Sequence, residues 1–490
     1  MTDASKTILV TGPTGYIGGR LVPRLLDRGH RVRVLARSPQ KLRDVPWADQ
    51  VEIVEGDLSD QESIASACRD IEVLYYLVHS MSGGKKDFMS EEAASARRVA
   101  NAARQQGVRR IVYLGGLHPE GELSNHLRSR REVGEILLES GIPTIALQAG
   151  VVIGSGSASF EMIRHLSDRL PVMTAPRWVR NRIQPIAVRD VLYYLTAAAE
   201  VPGDINRTFD IGGPDVLQYG EMMNSYAAVA GLPRRRILVV PVLTPHLAAL
   251  WVNLISPIPR SLAIPLVESL QYDAVTKESD IRSIIPEPTA GLTSYRDAVR
   301  LALVKLREGQ VETNWSGASI TGAPSDPLPS DPDWSGHNVM TDVRSKRTTS
   351  SREALWRVIE GIGGENGWYS LPLAWTVRGW LDKLGGGVGL RRGRRSPERL
   401  NAGEALDFWR VEEIERQQFL RLRAEMKLPG RAWLEMKIDE DDDGLVYRQR
   451  AVFFPRGLAG QIYWYAILPF HGVIFKGMAT KITATAEASR

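Results

Sequence analysis

From Thr7 onward the chain alternates short β-branched runs with longer stretches that carry apolar residues at helical spacing. The runs are Ile8–Val10, Val32–Leu35, Val51–Val54, Val73–Val78, Ile111–Leu114 and Thr144–Leu147. This βαβαβ alternation predicts an α/β Rossmann domain, a doubly wound parallel sheet covered by helices on both faces. Arg128–Glu139 reads as one of those helices, closed by Ser140-Gly141 and then Pro143. A later strand, Thr208–Ile211, runs into the turn Gly212-Gly213-Pro214, and a helix from Gly220 to Ala230 follows.

The pattern breaks between Glu312 and Gly336, where Pro324, Pro327, Pro329 and Pro332 stand among serines and aspartates, so that neither a helix nor a paired strand is expected. Three segments follow: a first domain over 1–310, a semi-rigid linker over 311–336 and a second domain over 337–490. In the second domain a helix is expected near Ser351, with Trp356 and Ile359 on one face. Strands are expected at Leu406–Val411, Phe419–Met426, Ala432–Ile438 and Tyr447–Phe454, and a last helix at Leu458–Ile482, interrupted at Pro469. That order predicts an α+β domain with an antiparallel sheet.

Composition narrows the function classes only modestly. A chain of 490 residues with 43% apolar and 24% charged residues is long enough for two or three globular domains. Its net charge of +5 is spread along the chain and calls for no nucleic-acid partner. The single cysteine, Cys68, excludes an internal disulfide and a cysteine-based metal site, reads as a buried core thiol and suits a reducing cytoplasm. No export signal is recognised before the first strand. Two stretches without Asp, Glu, Lys or Arg, Ile237–Pro259 and Leu458–Phe475, are broken by prolines and read as buried or interfacial, with peripheral membrane contact as the alternative. His471 and Glu435 stand isolated, and no metal site is assigned.

The candidate chemistry begins after the first strand, where Gly12, Gly15 and Gly18 sit in Thr11-Gly12-Pro13-Thr14-Gly15-Tyr16-Ile17-Gly18 and lead straight into a helix over Gly19–Arg28. Strand, glycine turn and helix in that order form a pyrophosphate cradle, with Thr14, Tyr16 and Ile17 beside it. At the end of the second strand an NAD-preferring site places an acidic residue for the ribose 2′-hydroxyl. Arg37 stands there instead, with Ser38 and Lys41 close by, a set suited to a 2′-phosphate, or else to a solvated basic loop. After the third strand, Gly56-Asp57-Leu58 offers Asp57 and Leu58 to an adenine, while Asp57 or Ser59 capping the next helix is the alternative.

These motifs, together with Gln184-Pro185-Ile186 and Val188-Arg189-Asp190, make residues 1–300 resemble the atypical short-chain dehydrogenases/reductases, with NmrA-like NADP-binding proteins and the NADPH-holding accessory subunit of respiratory complex I as the nearest kinds. The resemblance implies NADP(H) in preference to NAD(H), and places His79 beside the nicotinamide. Active members of that superfamily carry a serine after the fifth strand and a Tyr-x-x-x-Lys on the next helix. Here Ile111-Val112-Tyr113-Leu114 ends in Gly115-Gly116, and the tyrosine and lysine positions hold His126 and Arg130. Four residues apart on a helix, those two share a face, so His126 is a candidate proton donor and Arg130 a candidate cofactor contact. Tyr113 and Ser124 could contribute without being placed by the sequence.

Beyond the linker, about 338–485 resembles a helix-grip domain of the START and polyketide-cyclase type, in which a curved antiparallel sheet wraps a C-terminal helix around an apolar cavity. Trp409, Trp433, Tyr463, Trp464, Tyr465 and Phe470 are candidates to line it, and core packing accounts for the same residues. The basic cluster Arg391-Arg392-Gly393-Arg394-Arg395 is a candidate anion site or a solvated loop. Together the readings point to an NADP(H)-dependent oxidoreductase on a small apolar or lipid-like carbonyl compound. The alternatives are a non-catalytic NADP(H)-binding sensor or assembly factor, and a hydrophobic-ligand-binding protein on a Rossmann scaffold.

Overall fold

A computed structural model of the chain describes residues 5–43, 45–78, 88–119, 123–240, 255–256, 258–307, 339–364, 367–368, 399–426, 428–441 and 444–489. The chain divides into two units, Met1–Gly336 and His337–Arg490. The expected linker and the cluster Arg391–Arg395 lie outside the described residues.

In the first unit β1 (Thr7–Thr11), β2 (Arg31–Ala36), β3 (Glu52–Glu55), β4 (Val73–Tyr76), β5 (Arg110–Gly116), β6 (Thr144–Ala149) and β7 (Arg207–Ile211) form one seven-stranded sheet in the order β7-β6-β5-β4-β1-β2-β3. Every neighbouring pair is parallel. Alternate residues of the same strands feed two cores. Ile8, Val10, Tyr75, Val112 and Ile145 pack on α1 (Tyr16–Asp27) and on a later helix through Leu21, Leu25, Val191 and Leu195. Leu9, Leu74, Ile111, Tyr113 and Ala146 pack on α2 (Gln61–Ala67), α3 (Phe88–Gln105) and α4 (Asn125–Leu138). Central strands therefore read as apolar runs, since both faces are covered. Cys68 is buried in the second of these cores, and burial pushes its thiol pKa up to about 12.

A third core joins α5 (Ala158–Arg169) to α7 (Tyr219–Ala230) and α8 (Tyr295–Arg307), beyond α6 (Val188–Ala198). It contains charges the hydrophobic pattern does not announce. The Arg164 Nε donates to Glu161 at 2.7 Å, Glu161 also accepts from the Gly156 N–H at 2.9 Å, and the Tyr226 hydroxyl donates to Asp168 at 3.0 Å. Burial pushes the Asp168 pKa up to about 6 against the opposing pull of Arg164.

The second unit is built on an antiparallel sheet of β8 (Met340–Thr348), β9 (Ala405–Leu406), β10 (Trp409–Glu415), β11 (Phe419–Ala424), β12 (Gly430–Asp441) and β13 (Gly444–Pro455), in the order β8-β13-β12-β11-β10-β9. Leu420, Leu422, Leu434, Met436 and Tyr447 face α9 (Arg352–Glu360) and α10 (Gly457–Ala488), which contribute Leu355, Ile359, Met478 and Ile482 to a common core.

Two expectations need correction here. Leu406–Val411 is not one strand: β9 and β10 form a hairpin whose turn begins at Asp407, with φ 52°. That aspartate accepts from the Trp368 indole at 2.8 Å. Nor is the last helix interrupted at Pro469: α10 runs through the proline, which lies on its exposed side.

Candidate functional site

The sheet order reverses between β1 and β4, and ligands of open α/β sheets bind outside the strand ends at such a switch point. A cleft of ≈ 720 Å³ lies there, floored by Thr11–Gly18 and by the ends of β2, β4 and β5. The glycine loop is shaped by close approach. Gly12 has φ +71°, the Gly15 N–H donates to its carbonyl at 3.0 Å, and a Cβ on Gly18 would lie 2.2 Å from the same carbonyl oxygen. α1 starts behind the N-cap Gly15 with no side-chain cap and no acidic residue in its first turn, so nothing within that turn offsets the N–H groups and positive dipole end that face the cleft. This is the donor set a pyrophosphate requires, and it fits a dinucleotide.

One end of the cleft is bordered by Arg37, Asp57, Leu58 and Arg98. Arg37 Nε lies 3.8 Å from Asp57 Oδ2, with the arginine side chain 78% exposed. Asp57 is held below the usual carboxylate range, first by the Ser59 backbone N–H, with Arg37 and Arg98 adding to it. Neither Asp57 nor Ser59 caps α2; Asp60 does, accepting from the N–H groups of Glu62 and Ser63, and Asp57 is left turned toward the cleft. Ser38, half-buried, starts the short turn Pro39–Leu42, and Lys41 is exposed; neither is among the residues that line the cleft.

The other end gathers side chains from three elements. Glu92 from α3 and Arg130 from α4 line it with Tyr76 and Leu114, and the Ser129 hydroxyl donates to the Glu92 carboxylate. Arg130 donates to the Leu114 carbonyl at the end of β5, its guanidinium lies 5.6 Å from the Tyr113 ring centroid, and the Tyr113 hydroxyl donates to the Arg130 carbonyl at 3.0 Å. Burial raises the Tyr113 pKa, so this phenol stays protonated and structural. Ser124 is the N-cap of α4, accepting from the Leu127 N–H. His126 is half-buried one turn before Arg130 and is not among the lining residues. His79 lies outside the described residues.

Sequence reasoning missed the contribution of α3. Glu91, Glu92, Ser95 and Arg98 recur at helical spacing and all face the cleft, and Arg98 ties α3 to the Arg37–Asp57 end by donating to the Leu58 carbonyl at 2.9 Å. It also missed a pocket of ≈ 210 Å³ that shares Arg130 as a wall and is lined by Tyr113, Gly115, His118 and Gln148. Burial, then Arg131, Lys277 and Arg130, push the His118 pKa down to about 4, so its imidazole is neutral at neutral pH.

The remaining motifs are structural staples. Gln184 donates to the Gly213 carbonyl and accepts from Thr276, and buried Asp190 accepts from the Thr293 N–H at 2.8 Å.

Comparison with known proteins agrees with this geometry. Residues 12–141 match a family described as NAD(P)H-binding, and residues 334–478 match a family described as a protein of unknown function, DUF2867. The chain is 35% identical over 130 residues to sterol demethylase protein B of Methylococcus capsulatus, a match that spans 24% of this chain and 39% of that protein. It is 28% identical over 249 residues to the ceramide reductase of Caulobacter vibrioides, spanning 48% of this chain and 74% of that protein. Among solved structures, the Citrobacter sp. triphenylmethane reductase complexed with NADP(H) aligns with a TM-score of 0.49 and 20% identity, covering 61% of this chain and 100% of the other. The first unit has a Rossmann fold and is similar to NAD(P)H-binding proteins and reductases.

Proposed function

We propose that the protein is an NADP(H)-dependent reductase acting on an apolar, lipid-like carbonyl compound. The observation that carries this reading is the cleft that runs from Arg37, past the glycine loop, to Arg130. Its length of polar and backbone donors suits a dinucleotide, and its far end adjoins a second pocket in which a substrate has room. Arg37 offers a cation where NAD-preferring sites carry a carboxylate. Two relatives are named for a sterol and a ceramide, which supports a lipid-like substrate.

A nicotinamide held in this cleft would supply a hydride, and reduction of a carbonyl to an alcohol would then need one proton from the protein or solvent. Arg130, which lines both the cleft and the adjoining pocket, would hold oxygens of the nicotinamide ribose or of the substrate. Glu92 reaches the cleft and in its protonated form would deliver the proton, taking it back from solvent afterwards, with Ser129 fixing its carboxyl group; His126, set back from the wall, is the alternative donor. A second reading is favoured by the absence of tyrosine and lysine at positions 126 and 130: a sensor that binds NADP(H) without turning it over.

The test is NADPH titration followed by a panel of long-chain aldehydes and ketones monitored by loss of NADPH absorbance. Turnover that Glu92→Gln abolishes at unchanged NADPH affinity, and that survives His126→Ala, is the expected result. Loss with His126→Ala alone moves the proton to that histidine. Tight NADPH binding without turnover across the panel leaves the sensor.

A further inference from the structure

Helix α10 has two halves of different chemistry on one face. Leu458, Ile462, Tyr465, Pro469 and Val473 follow one another at three- and four-residue steps and are all exposed. The same line continues into Lys476 and Thr480, also exposed. The first half is therefore apolar where the second half, on the same helix and the same side, turns polar. Ile462, Tyr465 and Val473 are 60%, 65% and 62% exposed, and Phe470, on the flank of the face, is 66% exposed. Isolated apolar residues on a surface need no explanation, but a contiguous row of this kind marks a contact.

The opposite side of this half is already occupied. Trp464 stacks on Phe453 with ring centroids 5.7 Å apart, and a Cβ on Gly460 would lie 2.4 Å from the Pro429 carbonyl oxygen, so the helix is pressed against the sheet. Tyr465 and Phe470, candidates for lining an internal cavity, face outward instead, while Trp409 and Trp464 are buried and the Trp433 indole donates to Glu412. Charge identifies the occupant. From Gly457 to Phe475 there is no Asp, Glu, Lys or Arg; Arg456 precedes the stretch, Lys476 and Lys481 follow it, and the first acidic residue is Glu487.

We propose that the outward face of Leu458–Val473 lies in the interface of an anionic lipid bilayer, with Arg456, Lys476 and Lys481 against the headgroups. A ridge of aliphatic and aromatic side chains bordered by cations matches an in-plane interfacial helix. Because the helix is fixed along the sheet and its second half belongs to the core, it lies on the membrane and does not cross it.

The experiment is flotation of the full chain with vesicles of phosphatidylcholine, with and without phosphatidylglycerol. The protein floats with the anionic vesicles, the double variant Ile462→Glu/Val473→Glu lowers the bound fraction about tenfold, and Lys476→Glu weakens binding to the anionic vesicles only. Both double-variant positions are exposed, and an unchanged melting profile confirms the fold. The proposal is overturned if the wild type stays unbound with both vesicle types, or if the double variant floats equally well. It is also overturned if neither floats and the double variant converts a dimer into a monomer, which makes the face a contact between copies.

Discussion

The two units place their polar groups by opposite means. In the first, the polar groups that matter are backbone N–H groups and short side chains at the carboxyl ends of parallel strands, brought together by a turn that only glycine allows at Gly12 and Gly18. In the second, charge lies across the sheet: Glu413, Arg421, Glu435 and Arg450 are direct register partners on successive strands, alternating in sign. Glu435, 2% exposed, accepts from Arg421 at 3.0 Å and from Arg450 at 2.7 Å. A turn concentrates function in a few consecutive residues. A ladder distributes stability over four consecutive strands, one residue from each.

The largest effect expected breaks the first arrangement alone. Gly18→Val places side-chain atoms on the Gly12 carbonyl, and the loop cannot close around a pyrophosphate; NADPH affinity is expected to fall by more than about a hundredfold. Fluorescence titration checks it, and affinity within a few fold of the wild type would show that the glycine loop is not the site. Next in size, Glu435→Ala leaves Arg421 and Arg450 without their buried partner and is expected to cost the second unit about 3–5 kcal/mol. Thermal unfolding followed by tryptophan fluorescence should show one transition displaced while NADPH binding stays unchanged. A parallel loss of NADPH affinity would mean that the units do not act separately.

The same contrast explains what could be read from residues alone. The strands of the first unit were legible because burial on both faces leaves a β-branched run, and the glycine loop was legible because its residues are contiguous. The α3 face was not, since Glu91, Glu92, Ser95 and Arg98 have the composition of an ordinary solvated helix side, and only the fold turns them to the cleft. Strand β8 escaped notice because Asp342, Arg344, Lys346 and Arg347 interrupt any apolar alternation, and its place is set by pairing with β13. Glu435 looked isolated for the reason that makes it matter: its partners lie 14 and 15 residues away, on two other strands. Asp407 hid a hairpin inside an apolar run, because a two-residue turn leaves almost no polar signal.

A smaller effect tests whether the first unit's buried charges also serve stability. Asp168 titrates near 6 in the folded chain, against about 3.9 for an unperturbed aspartate. A raised carboxyl pKa means that the folded state holds the proton more tightly, so this group's favourable contribution is complete below about pH 4 and is lost as pH rises to about 6. Asp168→Asn keeps an acceptor for the Tyr226 hydroxyl while removing the charge. The variant is expected to match the wild type at low pH and to exceed it by up to about 3 kcal/mol at pH 8, read from denaturant unfolding. A less stable variant at pH 8 would show that attraction to Arg164 outweighs the cost of burial.

The finest test lies at the Arg37 end of the cleft, where the first unit relies on a side chain and not on its backbone turn. Arg37 is largely exposed and loosely held by Asp57, so removing it disturbs no core and leaves only the dinucleotide to report the change. A guanidinium bonded to a 2′-phosphate is worth about 1.5 kcal/mol or somewhat more, and Arg37→Ala should weaken NADPH about tenfold while NADH affinity stays the same. Raising the salt concentration should narrow the gap between wild type and variant, because an exposed ion pair is screened. Equal loss for both cofactors would assign Arg37 to the shared adenosine, and no loss for either would leave it a solvated side chain paired with Asp57.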